Sequence, residues 1–206
     1  GGGLEFSSLD AEPRPNEEIE TGMLRCRLCG REYPIVDTIP RLAPAAPSAG
    51  GRRRCPGDGG PMSADAEDDR VRRTRVSFGY EWHRYPGALP EDQALFLEET
   101  QIPVPEWESR TVLDAGCGMG RYARVALSLG AEVVAFDLSE SLTRLIPHAL
   151  ENGKLHLVQG DLLHPPLKQG AFDIVYSQGV IHHTADTRGA FDRIAERVKR
   201  DGLLSV

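Results

Sequence analysis

Gly116, Gly118 and Gly120 alternate with Cys117 and Met119 directly after the apolar run Thr111–Ala115 ("TVLDA") and directly before a stretch of helical periodicity. Glycine lacks the Cβ that blocks positive φ angles and close backbone approach. A helix opening behind such a loop also turns its unpaired N–H groups toward any anion or carboxylate that binds there. The junction therefore reads as buried strand, ligand-binding turn and helix, the repeating unit of a parallel sheet covered by helices.

The chain from Val71 onward continues that pattern. Tyr122, Val125, Ala126 and Leu129 recur at helical spacing until Gly130, and Glu132–Phe136 reads as a second strand. Ser139 can cap a helix whose apolar face is Leu142, Leu145, Ile146 and Leu150, with Pro147 expected to kink or shorten it. Leu155–Val158 and Phe172–Tyr176 are the third and fourth strands. The segment between them, "LLHPPLKQG", is too short and proline-rich for a full crossover helix. Ala190, Phe191, Ile194, Ala195 and Val198 mark a helix ending near Gly202, and Leu203–Val206 begins a fifth strand. Ahead of all this, Pro90–Gln101 reads as a helix.

The glycine spacing separates two ligand classes. A dinucleotide loop wants G-x-G-x-x-G, but Arg121 stands at the third glycine position, and Asp114, two residues before Gly116, would sit badly beside a pyrophosphate. An acid followed by G-x-G-x-G instead resembles the first motif of the class I S-adenosylmethionine-dependent methyltransferases. The resemblance runs from Thr111 to Val206 in the expected order. It implies a Rossmann-like α/β fold, S-adenosylmethionine as cofactor, and a cofactor site built from Asp114, Gly116, Cys117, Gly118 and Gly120. Asp137 and Leu138 ("VVAFDLS") would lie at the ribose, and Asp161 and Leu162 ("QGDLLHPPL") at the adenine edge. Ser177, Gln178 and Gly179 ("FDIVYSQGVIHH") would border the methionine end and the acceptor.

A sulfonium methyl is already activated, so such a protein mainly aligns the acceptor and excludes water. An acceptor that must lose a proton also needs a base. His182 and His183 follow the fourth strand at the right place, each either a base or an ordinary strand-end histidine, and strand alternation lets at most one of them face the site. Cys117 reads as a small loop residue, since no neighbouring base or cation marks it as a nucleophile. The segment "VSFGYEWHRYPG", Val76–Gly87, resembles an element that precedes this domain in small-molecule methyltransferases of bacteria. Its Tyr80, Trp82 and Tyr85 either form a lid over the site or pack the helix Pro90–Gln101 onto the sheet.

The N-terminal part is different in kind. Residues 1–43 contain Cys26-x-x-Cys29 followed by a Gly turn, and resemble the C-terminal half of small zinc-ribbon-like domains that accompany or activate some methyltransferases. Residues 1–21 contain no Cys or His, and Cys55 has no fourth partner, so the pair is expected to be a vestigial half-site, with a β-hairpin and no metal. Residues 44–70, rich in Pro, Gly, Ser and Arg, read as a flexible linker, and residues 71–206 as the methyltransferase domain. The family's sheet usually continues into an antiparallel hairpin after its fifth strand, so the domain is expected to be cut short. An exposed strand-five edge would then be open to self-association.

Charge narrows the partners. Residues 81–206 carry 18 acidic against 12 basic side chains in a chain of net charge −7, which disfavours broad contact with a nucleic-acid backbone. No apolar run is long enough to span a membrane, and no basic-then-apolar leader opens the sequence, so the expected location is cytoplasmic. The reading is methyl transfer from S-adenosylmethionine to a small-molecule or metabolite acceptor. Its rivals are a cofactor-binding fragment without turnover, methylation of tRNA or protein, and a nicotinamide-dependent oxidoreductase.

Overall fold

The computed structural model describes residues 4–7, 19–27, 30–42 and 89–206. The linker, the aromatic segment Val76–Gly87, Cys29 and Cys55 lie outside the described residues. Strands β1 (Leu4–Ser7), β2 (Thr21–Cys26), β3 (Glu32–Val36) and β4 (Ile39–Pro40) form an antiparallel sheet in that order. The expected hairpin is β2–β3, flanked by a strand on each side. Cys26 is buried at its tip, where its N–H bonds the Arg31 carbonyl.

The second sheet is wholly parallel. It contains β5 (Thr111–Ala115), β6 (Glu132–Asp137), β7 (Leu155–Gln159), β8 (Phe172–Tyr176) and β9 (Val198–Ser205), in the spatial order β7-β6-β5-β8-β9. This is the α/β, Rossmann-like architecture that the sequence implies. The strand that comes first in sequence, β5, lies at the centre and the order reverses between β5 and β8, which opens a crevice at the strand C-termini. Helices α1 (Asp92–Thr100), α2 (Arg121–Ser128), α3 (Ile146–Glu151) and α4 (Thr187–Ala195) complete the layers.

Strand alternation sorts the core into two faces. Val112, Val133, Ala135, Leu155, Ile174 and Tyr176 pack with Phe96 of α1 and with Ala123 and Ala126 of α2. Leu113, Ala115, Phe136 and Val175 pack on the other face with Ile194 of α4. Phe96, Trp107 and Tyr176 join in an aromatic cluster with ring centroids 4.8 to 6.0 Å apart, which seats α1 over the centre of the sheet. Ile39 of β4 is buried in this same core, and Arg41 pairs with Gln159 in parallel, so the N-terminal sheet ends against the β7 edge.

Two elements differ from the periodicity. The helix expected to run through Val198 stops at Ala195, because the carbonyls of Glu196 and Arg197 accept hydrogen bonds from Gly170, Ala171 and Phe172 and draw the chain into the sheet. The fifth strand consequently begins at Val198 rather than Leu203, with a register shift between Phe172 and Ile174. The helix expected after Ser139 is instead a 3-10 turn over Glu140–Leu145 followed by α3, with Pro147 near its start, where a proline costs no hydrogen bond. That break rotates Leu150 into solvent and puts Ala149 in the core. Phe191, expected on the buried face of α4, is also exposed, as are Leu203 and Val206 on β9 and beyond it. No described helix is long and apolar enough to cross a membrane.

Asp173 ties the base of the sheet together. Its carboxylate accepts from the Thr111 backbone N–H (2.9 Å), the Thr111 hydroxyl (2.6 Å) and Lys199 Nζ (2.9 Å), linking β5, β8 and β9. Burial alone would raise its pKa, but these donors outweigh it and hold the group at about 2. A carboxyl depressed in the folded state stabilises above its unfolded pKa and loses that contribution as pH falls through the folded value. Allowing for partial exposure, Asp173→Asn should cost about 1–2 kcal/mol at pH 7 in urea titrations. The gap between the two proteins should close between about pH 4 and 2, and a gap independent of pH would contradict this.

Candidate active site

The C-terminal ends of four neighbouring strands deliver the predicted residues to one place. Across the sheet from β7 to β8, these are Asp161 after β7, Asp137 at the end of β6, the glycine loop after β5, and Gln178 and Gly179 after β8. They enclose a cavity of about 360 Å³. Asp114, Gly116, Cys117, Gly118, Leu138, Leu162 and His183 also line it.

The loop is held from its β6 side. Gly116 N–H and Cys117 N–H both reach the Phe136 carbonyl (2.7 and 3.1 Å), and Gly118 N–H donates to Asp137 Oδ2 (2.8 Å). Asp137 Oδ1 accepts from both the backbone N–H and the hydroxyl of Ser139 (2.7 Å each). Two glycines are required sterically. Gly116 has φ +95°, and a Cβ there would run into Val180. Gly120 has φ +78° at the start of α2, and a Cβ there would run into Leu145.

Asp114 shares the face of β5 that packs beneath α1 and α2, since it lies two residues from Val112. Burial raises its pKa to about 8. The Tyr176 hydroxyl is the main influence opposing that shift, and the negative charge of Asp137 adds to it. Asp114 Oδ2 and the Tyr176 hydroxyl are both sealed from solvent and meet no partner in hydrogen-bond geometry. Burial, with Asp114 and Asp137 nearby, also pushes the Cys117 thiol up, which keeps it protonated and unreactive.

Three predicted residues stand outside the cavity lining. Ser177 turns inward, its hydroxyl donating to the Ala115 carbonyl (2.7 Å), so it joins β8 to β5. Gly120 is the N-cap of α2 behind the loop. His182 and His183 lie on a 3-10 turn, Ile181–His183, rather than on a strand, with their rings 4.0 Å apart, and only His183 reaches the cavity. Partial burial, then the neighbouring His182, lowers the pKa of His183. Asp161 Oδ1 accepts from Leu163 N–H (2.9 Å), and its Oδ2 lies 3.2 Å from His164 Nδ1.

Glu99, Arg121, Tyr122 and Thr184 also line the cavity, outside the site residues that the motifs imply. Arg121 was detectable: it opens α2 directly behind the loop, and its Nε donates to buried Asp92 (2.6 Å), which fastens α2 to α1. Glu99 belongs to no motif and Tyr122 reads only as part of a helical face, because it is the packing of α1 on α2 that brings both to the cavity. Among the described residues, no three His, Cys, Asp or Glu side chains are placed to share a metal ion.

A family of proteins described as a methyltransferase domain matches residues 113–206, the segment that supplies all four strand ends. Residues 113–206 form a class I S-adenosylmethionine-dependent methyltransferase-like domain. The chain is 31% identical over 98 residues to an uncharacterised methyltransferase of Mycobacterium tuberculosis, covering 48% of this chain and 50% of that protein. It is 35% identical over 104 residues to a ubiquinone biosynthesis O-methyltransferase of Chelativorans, covering 48% of this chain and 40% of that protein. The chain thus spans half or less of the length of these relatives. Among solved structures, phosphoethanolamine N-methyltransferase 2 of Haemonchus contortus, in complex with phosphomonomethylethanolamine and S-adenosylhomocysteine, superposes with a TM-score of 0.51. The two are 26% identical, and the match covers 66% of this chain and 34% of that one.

The state of Asp114 in this methyltransferase-like domain has a measurable consequence. An acid whose folded pKa is raised is tolerated below its unfolded pKa and costs stability progressively as pH rises toward the folded value. Without ligand, the melting temperature should therefore fall from pH 5 to 8, and Asp114→Asn should flatten that fall. An equal slope in the two proteins would show that Asp114 ionises freely in the folded state.

Proposed function

We propose that the chain transfers a methyl group from S-adenosylmethionine to a small-molecule acceptor, through the domain spanning about residues 71–206. The observation that carries the reading is the convergence of the glycine loop, Asp137, Asp161 and Gln178 on one cavity from four successive strand ends. The residues fit the cofactor on two further counts. Asp114 presents a buried, unpartnered carboxyl oxygen beside a loop where side chains are excluded at Gly116 and Gly120. Asp137 stands at the end of β6 with Leu138, where a ribose diol needs an acceptor.

The cofactor, when bound, supplies an electrophilic methyl on sulfur. The protein's part is to hold and align. Backbone groups of Gly116–Gly118 and the Asp114 carboxyl would receive the amino-acid end, Asp137 the ribose hydroxyls, and Asp161 with Leu162 the adenine edge. A cation arriving beside Asp114 favours its ionised form, so binding near neutral pH should release a proton. His183, whose pKa is lowered by partial burial and the neighbouring His182, lines the cavity and can accept a proton from an acceptor hydroxyl or amine there. His182 is assigned no role in the reaction.

A small acceptor is supported by the acidic balance of residues 81–206, which disfavours a nucleic-acid substrate. The relatives named for ubiquinone biosynthesis and for sterol 24-C-methylation act on such compounds by name. One described as a ribosomal RNA methyltransferase does not.

Incubating the full chain with S-adenosylmethionine and a metabolite extract should yield S-adenosylhomocysteine above the rate without extract. Asp137→Ala should weaken S-adenosylhomocysteine binding by about 1–3 kcal/mol. His183→Asn should slow turnover roughly 100-fold with that affinity unchanged. Unaltered binding by the Asp137 variant would contradict the site assignment. Product formed only with tRNA or protein would overturn the acceptor class.

A further inference from the structure

The polar groups of Gln159 join two parts of the molecule that the cofactor reading treats separately. Gln159 ends β7 opposite Asp137 in the β6–β7 register, and it is buried. On its outer side it receives the N-terminal sheet: Leu42 N–H donates to its backbone carbonyl (2.8 Å) and Arg41 Nη1 to its side-chain Oε1 (3.0 Å). On its inner side its Nε2 donates to the carbonyl of Leu138 (3.0 Å), and the next residue, Gly160, donates its N–H to the Asp137 carbonyl (2.9 Å).

The amide has one workable orientation. Reversing it would set its NH2 against the Arg41 guanidinium and its oxygen against the Leu138 carbonyl, a donor–donor and an acceptor–acceptor contact at once. Arg41 and the Leu138 carbonyl together fix this orientation, and Arg41 holds the amide from the side of the N-terminal sheet while it anchors Leu138. Residues 137–139 form the turn that presents the Asp137 carboxylate and Leu138 to the cavity, and on its cavity side this turn is held through Ser139 and Gly118. Gln159 holds it from behind.

We infer that Gln159 is a positioning residue through which Arg41 of the N-terminal sheet sets the turn that receives the cofactor's ribose. The inference rests on the proposed cofactor site. It assigns the N-terminal segment a part in cofactor affinity that needs no metal and no contact with the cofactor.

The test is calorimetric titration of the full 206-residue chain with S-adenosylhomocysteine, recording the ligand-free melting temperature of each variant. Arg41→Ala should weaken binding about two- to tenfold, the effect of one lost hydrogen bond. Arg41→Lys, whose ammonium can still donate to Oε1, should recover most of it. Gln159→Met should weaken binding to a similar degree, and adding Arg41→Ala to it should cost nothing more. A lower melting temperature with unchanged affinity would reduce Arg41 to a purely structural contact and overturn the inference. Additive losses from Arg41→Ala and Gln159→Met would overturn it too, because Arg41 would then act without Gln159. If the parent chain fails to bind, the cofactor site itself is wrong and the inference falls with it.

Discussion

The path of the backbone at the end of β5 is the constraint from which the rest of the site follows. Two successive N–H groups, of Gly116 and Cys117, converge on the Phe136 carbonyl, and a third, of Gly118, is taken by Asp137, so the loop is fastened to the neighbouring strand. Around the fixed loop, Gly120 caps α2 against Leu145, Val180 fills the space where Gly116 has no Cβ, and the strand order reverses beside β5. A side chain at either glycine would displace an element that shapes the cavity.

A second consequence is electrostatic. Strand alternation that buries Val112 under α1 and α2 also buries Asp114, so a carboxyl is carried into the core and kept neutral near pH 7. Neutralisation removes most of the cost of burying a charge and leaves one Asp114 oxygen without a hydrogen-bond partner. Asp173, at the opposite end of the same sheet, shows the contrasting outcome: three donors surround it and it stays charged down to about pH 2. The carboxylate at one end of the strands is surrounded by donors, and at the other end an Asp114 oxygen has none.

The central strands were legible because both of their faces are buried, which leaves a short continuous apolar run between turn signals. Thr111–Ala115 and Phe172–Tyr176 are read from sequence to the residue. Legibility fails where backbone pairing overrides side-chain period. Val198 fits the face of α4, yet the hydrogen bonds of Gly170–Phe172 to Glu196 and Arg197 take that stretch into β9. Pro147 was correctly expected to disturb the helix after Ser139, but its effect on which of Ala149 and Leu150 is buried depends on the 3-10 turn before it. In the site, residues at strand ends were readable because motif order fixes them. Glu99 and Tyr122 were not, since they meet the cavity only through helix packing, and the choice of His183 over His182 came from a turn that alternation rules do not cover.

If the cavity is the cofactor site, binding must register simultaneously on chain segments remote in sequence. Amide hydrogen exchange read by mass spectrometry, with and without S-adenosylhomocysteine, tests this directly. Slowed exchange in 116–120, 137–139 and 161–163 together, with the segment around Asp173 unaffected, is the predicted result. Protection confined to one of the three segments, or none, would contradict the account.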